Sequence, residues 1–175
     1  FKITYIMETK KHSSHSRPVI SQAQNNTTLW IGHLRPHTHD HLAGQTFICP
    51  SEGLVNNIQV FASAVTQPGE VALTLHEFDS SSRSWGNAIG NSIRQVDQND
   101  DTHWIRFELD PIELKKDATY GFRLQTNDGI IGIGEAATGN RHPFTFGHAW
   151  NGHSTSDKGD FFSYFSLAFK VELCA

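Results

Sequence analysis

The chain has 175 residues, which is the length of one compact domain. Its 14 Lys and Arg against 18 Asp and Glu give a formal net charge of -4, and the cationic residues are scattered, which argues against nucleic acid or an anionic membrane as a partner. No apolar run reaches the roughly 18 residues that a membrane helix needs, and the apolar stretch at the start is too short for a secretory signal.

The first 26 residues are polar and rich in Ser, Lys and His, with too little apolar surface to pack. We expect a flexible N-terminal arm over residues 1–26, ordered as a strand only where Val19 and Ile20 meet a surface. Residues 27–175 are then expected to form a single domain.

After the arm, short runs with a period of two alternate with Gly, Pro, Asn, Asp and Ser, a pattern that indicates β-strands. No window keeps a 3.6-residue period with helix caps. The expected strands are Thr28–His33, Gln45–Cys49, Leu54–Ala64, Val71–Phe78, Ala88–Val96, His103–Leu109, Thr119–Thr126, Ile130–Glu135, Phe144–Trp150 and Phe161–Leu173.

Successive side chains of a strand point to opposite sides, so alternation predicts one dry and one wet face for each strand. This favours an all-β fold, a two-sheet antiparallel β-sandwich of jelly-roll type. The predicted core positions are Ile58, Val60, Ala62 and Ala64; Val71, Leu73 and Leu75; Ile105, Phe107 and Leu109; and Phe165, Leu167, Phe169, Val171 and Leu173.

Cys49 and Cys174 end the first and last strong predicted strands. If those strands pair antiparallel, the two thiols lie at opposite ends of the ladder, on the order of 20 to 30 Å apart. We therefore predict free thiols.

Several segments carry a family resemblance: GQTFICPSEGLVNNIQVF, EVALTLHEFD, HWIRFELDPIELKKDATYGFRLQTND and FSLAFKVEL. Over residues 44–173 the chain resembles a jelly-roll module of bacterial extracellular and cell-surface proteins. The resemblance implies a non-catalytic accessory or adhesion-like role, often directed at carbohydrate, at the cell surface. The matching positions are Trp104, Phe107, Leu109, Pro111, Ile112, Leu114, Tyr120, Phe122 and Leu124.

Four of the eleven histidines lie in the short segment GHLRPHTHDH, namely His33, His37, His39 and His41. In a strand, an H-x-H pair can hold one metal ion because alternate side chains share a face. His37 and His41 would be about 13 Å apart on a straight strand, so at most two of the last three histidines are expected to reach one ion. The candidate ligand set is His37 and His39 with His148 from a distant segment, for an opportunistic divalent metal.

The H-T-H triplet also resembles the first motif of the cupins, which are metal-dependent β-barrel enzymes. Ala43 and Gly44 stand where that motif has Glu. An exposed histidine-rich loop without a ligand is the third interpretation of the segment, and no other cofactor is expected.

Trp85 lies in a polar, turn-rich segment, and Trp150 begins the loop WNGHSTSDKGD at the end of a predicted strand. Trp30 and Trp104 lie within predicted strands and are expected to fill the core or the space between the sheets. An exposed indole flanked by polar groups can stack on a sugar ring. The alternative is packing within a loop. The candidate ligand-binding residues are Arg83, Trp85, Asn87, Trp150, Asn151 and Asp157.

No catalytic dyad, nucleotide-binding loop or nucleophile motif is present in the sequence. We interpret Asp97, Asp100 and Asp101 as an acidic hairpin loop. The leading hypothesis is a non-catalytic module that binds a glycan or a protein at the cell surface. The alternatives are a metal-dependent, cupin-like enzyme and a purely structural assembly domain.

Overall fold

The computed structural model describes residues 15–138 and 143–175, apart from the side chain of Asp157. This part of the chain is all-β, with one 3₁₀ turn at Gln98–Asp100. Its strands are β1 Ser16–Gln22, β2 Thr27–Gly32, β3 His41–Ile48, β4 Gly53–Gln67, β5 Gly69–Asp79, β6 Ser84–Val96, β7 His103–Glu108, β8 Glu113–Leu114, β9 Thr119–Thr126, β10 Ile130–Ala137, β11 Ala149–His153, β12 Ser156–Phe162, β13 Phe165–Leu167 and β14 Phe169–Cys174.

The strands form an antiparallel, curled sheet in the order β1-β14-β4-β10-β2-β3-β9-β5-β6. β7 and β8 pair with β4, β13 pairs with β10, and the β11–β12 hairpin pairs with β3 through β11. β2 and β3 meet at a single residue pair, Gly32 with His41. The ladder between β2 and β3 is therefore minimal at this point of the sheet.

The curl brings strands that are distant in the sheet order into contact through their inner faces. The ring of Phe169 on β14 lies 6.2 Å from that of Phe47 on β3 and 5.7 Å from that of Phe122 on β9. All three side chains are fully buried. The predicted core positions of β5 and of β7 with the residue after it are also buried: Val71, Leu73 and Leu75 on β5, Ile105 and Phe107 on β7, and Leu109 directly after β7.

The predicted N-terminal arm is ordered in part. Residues 1–14 lie outside the described residues, but Ser16–Gln22 is strand β1 and pairs with the edge of β14. Val19 and Ile20 pack against the core, which is the condition under which the sequence predicted a strand. The pairing energy of an available sheet edge thus compensates for the polar composition of this segment.

The alternation prediction is wrong near the end of β4. Ile58, Val60 and Ala62 are buried as expected, but Val65 rather than Ala64 is buried. The register with β10 shifts between Gly132 and Ile133, where a bulge gives β4 one extra residue. A bulge changes which face the following side chains share, so strict alternation fails beyond it.

The C-terminal part of the chain also departs from the predicted strands. The segment expected as one strand over Phe161–Leu173 is divided among β12, β13 and β14, and Phe144–Trp150 enters a strand only at Ala149. In addition, Ser166 is fully buried although alternation with the predicted core positions Phe165 and Leu167 would expose it, and Phe165 is only partly buried. These turns carry no Gly-Pro or Asn-Gly signal, so local sequence did not mark them.

Trp30 and Trp104 are half-buried rather than core residues. The ring of Trp104 packs edge-on against Phe61 at 5.5 Å, and Nζ of Lys170 lies 4.0 Å from its centroid. No helix in the described residues is long and apolar enough to cross a membrane.

The two cysteines are free, as predicted, but not for the predicted reason. β3 pairs with β2, β9 and β11, and β14 pairs with β1 and β4, so the two strands are not neighbours. Cys49 is fully buried, and Cys174 is partly exposed.

Candidate functional site

The outward face of β3, β9 and β11 has glycines where larger side chains would ordinarily stand. Trp150 of β11 pairs with Gly44 of β3, and its ring lies against Gly44 and Gly152. A methyl group at Gly121 of β9 would lie 2.6 Å from the Trp85 ring. Glycine within a strand often marks such a close approach. The glycines thus form a floor of bare backbone that makes room for two indole rings, which meet edge to face at 73°.

The second indole ring is that of Trp85 on β6, which is two strands from β9 in the sheet order. Its ring centroid lies 5.3 Å from that of Trp150 and 6.2 Å from that of Phe161 on β12. The guanidinium of Arg123, on β9, lies 5.2 Å from the Trp85 centroid and 5.8 Å from the Trp150 centroid. This spacing is that of cation–π contacts, which hold the rings and the cation together.

An open pocket of about 600 Å³ lies beside Trp85. Three cationic side chains border it, and two aromatic rings form its apolar part. No carboxylate borders it among the side chains that the structure describes. The lining residues are Arg83, Ser84, Trp85, Gly86, Arg123, Lys158, Gly159 and Phe161.

The structure brings together two of the six residues that the sequence nominated for ligand binding. Arg83 and Trp85 line the pocket. Trp150 is 1% exposed and packs beneath Trp85, so the prediction that its ring stacks on a ligand is wrong. The cause is that Trp150 belongs to strand β11 rather than to a loop.

The other three nominated residues do not contribute side chains to the pocket as described. Asn87 is exposed on β6 but does not line it. Asn151 follows Trp150 on β11 and therefore points to the opposite face. Asp157 belongs to β12, and its side chain lies outside the described residues.

Sequence reasoning missed the other six lining residues, among them the cationic and aromatic side chains of Arg123, Lys158 and Phe161. Arg123 had a usable signal, because it alternates with the buried Phe122 and Leu124 and must point outward. Lys158 and Phe161 had none, since the hairpin that carries them was not predicted.

His148 lies in a neighbouring pocket of roughly 120 Å³ together with Arg83. Burial, and then the charge of Arg83, hold the pKa of His148 below its usual value. The carbonyl of His148 accepts a hydrogen bond from the backbone N–H of Thr46, five residues along β3 from His41. Five residues of strand span roughly 16 Å, so His148 is not near the other histidines.

A second group of side chains is the histidine cluster, which we define as His37, His39, His41 and His153. The ring nitrogens Nδ1 of His37 and Nε2 of His41 lie 2.6 Å apart. A straight strand would separate the two residues by about 13 Å, so the prediction of an extended segment is wrong. The reason is that the backbone bends at Thr38 and His39, so the segment between His37 and the start of β3 at His41 is not extended.

The fourth histidine comes from the β11–β12 turn. His153 pairs with His41 across β11 and β3, and its ring centroid lies 4.1 Å from that of His39. Two hydrogen bonds of 3.0 Å join the segment before β3 to the turn after β11. The N–H of Ser154 donates to the Asp40 carbonyl, and the N–H of Asp40 donates to Oγ of Ser154.

The surroundings of His39 and His41 favour their neutral imidazoles. Burial, and then neighbouring histidines, lower the pKa of His39 and of His41 below the ordinary value. The catalytic set proposed by analogy with cupins, which needs His148 beside His37 and His39, is not assembled. No protein-family model matches the chain, and the search of curated proteins finds no similar one, so the geometry of its own residues carries the functional conclusions below.

Proposed function

We propose that this protein is a non-catalytic binding module that recognises an acidic glycan through the pocket beside Trp85. The observation that carries the proposal is the convergence of Arg83, Arg123 and Lys158 on a pocket that also presents the rings of Trp85 and Phe161. The positive charge of the pocket contrasts with the chain as a whole, whose formal net charge is -4. Three cations at one site are a local departure from that balance.

The chemistry of the lining suits a sugar that carries a carboxylate or sulfate. An indole or phenyl face packs against the apolar face of a pyranose ring. A guanidinium binds a carboxylate or sulfate with two parallel N–H donors, and an ammonium adds a compact charge. Ser84 supplies a hydroxyl for the neutral sugar hydroxyls.

The fold supports the same proposal. We further propose that the curled sheet is a two-layer sandwich of jelly-roll type, because Phe47 and Phe122 on one group of strands face Phe169 on another. The resemblance over residues 44–173 suggests carbohydrate-directed modules of bacterial cell-surface proteins. A surface location of this chain is part of the proposal.

Arg83 offers a variant that separates binding from folding. It has φ of 52°, in the left-handed region that favours glycine, and it lies in the turn between β5 and β6. Arg83→Gly therefore removes a charge from the pocket without a backbone penalty, and we expect the free energy of unfolding to stay equal or rise by up to about 1 kcal/mol.

The test is a glycan array with matched neutral and acidic sugars, followed by calorimetric titration of the best ligand. We expect acidic glycans to bind and their neutral counterparts to bind at least about tenfold more weakly. Arg83→Gly and Trp85→Ala should each weaken binding by about tenfold or more. Arg17→Ala is the control, because it removes an equally exposed positive charge from β1, which is outside the pocket.

Three outcomes would overturn the proposal. One is the absence of binding to any acidic glycan, which would favour a structural assembly domain. Another is equal affinity for an acidic glycan and for poly-glutamate, which would reduce recognition to charge alone. The third is a Trp85→Ala variant that binds as well as the wild type.

A further inference from the structure

We propose that His37, His39, His41 and His153 together bind one divalent transition-metal ion of the zinc type. The site shares no residue with the pocket beside Trp85, so it does not depend on the proposed glycan function. It also differs from the ligand set nominated from the sequence, which lacked His41 and His153 and included His148.

The distances are close to those that one ion requires. His37, His39 and His41 each offer a ring nitrogen, and these three atoms lie within 4.8 Å of one another. Nitrogens bound at about 2.0–2.1 Å to a tetrahedral ion are roughly 3.3 Å apart. Small rotations of imidazole side chains cover that difference.

His153 completes the set. Its ring lies 4.1 Å from the ring of His39 and 5.6 Å from that of His41, measured between centroids. Because His153 pairs directly with His41 across two strands, their side chains leave the same face of the sheet. The site is thus assembled by β-pairing between residues more than a hundred positions apart.

Two nitrogens of the cluster point to a ligand. Nε2 of His39 and Nδ1 of His153 are buried and have no hydrogen-bond partner. A polar atom that is shielded from water and has no partner is unfavourable, because it has lost its hydrogen bond to solvent without replacing it. Coordination of a metal ion would satisfy both atoms at once.

The donor atoms select the kind of ion. Four imidazole nitrogens suit Zn²⁺, Ni²⁺ and Cu²⁺, whereas Ca²⁺ and Mg²⁺ prefer oxygen ligands. Four protein ligands also form a closed tetrahedral shell, which is typical of structural rather than catalytic zinc. The bound ion would link the start of β3 to the β11–β12 turn.

The experiment uses the full chain without a polyhistidine tag, stripped with EDTA and titrated with ZnCl₂. We expect one Zn²⁺ per chain, no competing uptake of Ca²⁺, and a rise in melting temperature on binding. His39→Ala and His153→Ala should each weaken zinc binding by at least about tenfold. The control is His103→Ala, because His103 is exposed on β7 and its Nδ1 contacts the Asp101 carbonyl instead.

Long-range ¹H–¹⁵N spectra of the wild type test the same point without a substitution. Zinc should shift the imidazole nitrogens of the four proposed ligands and leave those of His103 and His76 in place. The proposal is overturned if the stripped protein takes up no zinc. It is equally overturned if His153→Ala has the circular dichroism spectrum of the folded protein and binds zinc as tightly as the wild type. A third contradicting result is that the His153 nitrogens of the wild type do not shift.

Discussion

Glu135 is a carboxyl group buried near the end of β10, on the same side of the strand as the core residues Ile131 and Ile133. Burial raises its pKa to about 7, and no opposing cause is present. No ion pair involves it among the described residues. The charged form of this side chain therefore weakens the fold.

Proton linkage gives the direction in which the free energy of unfolding changes with pH. An unfolded glutamate releases its proton near pH 4.5, and Glu135 in the folded state keeps its proton until about pH 7. Between these values the folded state holds one more proton, so the free energy of unfolding falls as pH rises and stays low above about pH 7. The shift corresponds to about 3 kcal/mol in full and about 1 kcal/mol at pH 5.

Glu135→Gln keeps the size of the side chain and removes its charge. We expect urea denaturation to give an unfolding free energy about 3 kcal/mol above that of the wild type at pH 8, and about 1 kcal/mol above it at pH 5. Glu70→Gln, at an exposed position on β5, is the control and should change little at either pH. A Glu135→Gln gain that is absent at pH 8, or equal at both pH values, would refute the reasoning.

Three further predictions concern packing. Trp150→Ala should lower the free energy of unfolding by about 3–5 kcal/mol in urea denaturation, because the ring is fully buried; a loss below 1 kcal/mol would contradict that burial. Gly121→Ala should cost about 1–3 kcal/mol and also weaken glycan binding, since the added methyl would displace the Trp85 ring; unchanged binding in calorimetry would count against this placement. Thiol labelling of the native protein should modify Cys174 well before Cys49, because Cys49 is buried and burial raises the pKa of its thiol; equal labelling rates would be inconsistent with the structure.

The sequence predicted the strands best where alternation was regular. Thr119–Thr126 was predicted to the residue, because every second side chain from Tyr120 to Thr126 is buried between two neighbouring strands. Prediction failed where pairing with a distant segment decided the outcome. β1 needed the edge of β14, and the phase of β4 needed the bulge against β10.

The candidate sites were harder to predict for a related reason. The sequence predicted an extended segment from His37 to His41, but the backbone bends at Thr38 and His39, where no Gly or Pro marks a turn. His153 could not be assigned without knowing that β11 pairs with β3. One signal for the site of the two indole rings was present in the sequence, however, because Gly121 lies inside the predicted strand Thr119–Thr126, where glycine often marks close packing.

The β11–β12 hairpin connects the two proposed sites. Its first strand carries the buried Trp150 and ends at His153 of the histidine cluster, and its second strand carries Lys158 and Phe161 of the pocket. Both sites therefore require that the hairpin pair with β3, and Trp150 is the largest side chain that holds it there. Variants within one site, such as Arg83→Gly or His153→Ala, test that site alone. A loss of both activities, by contrast, would indicate that the hairpin has left the sheet and not that either ligand was misassigned.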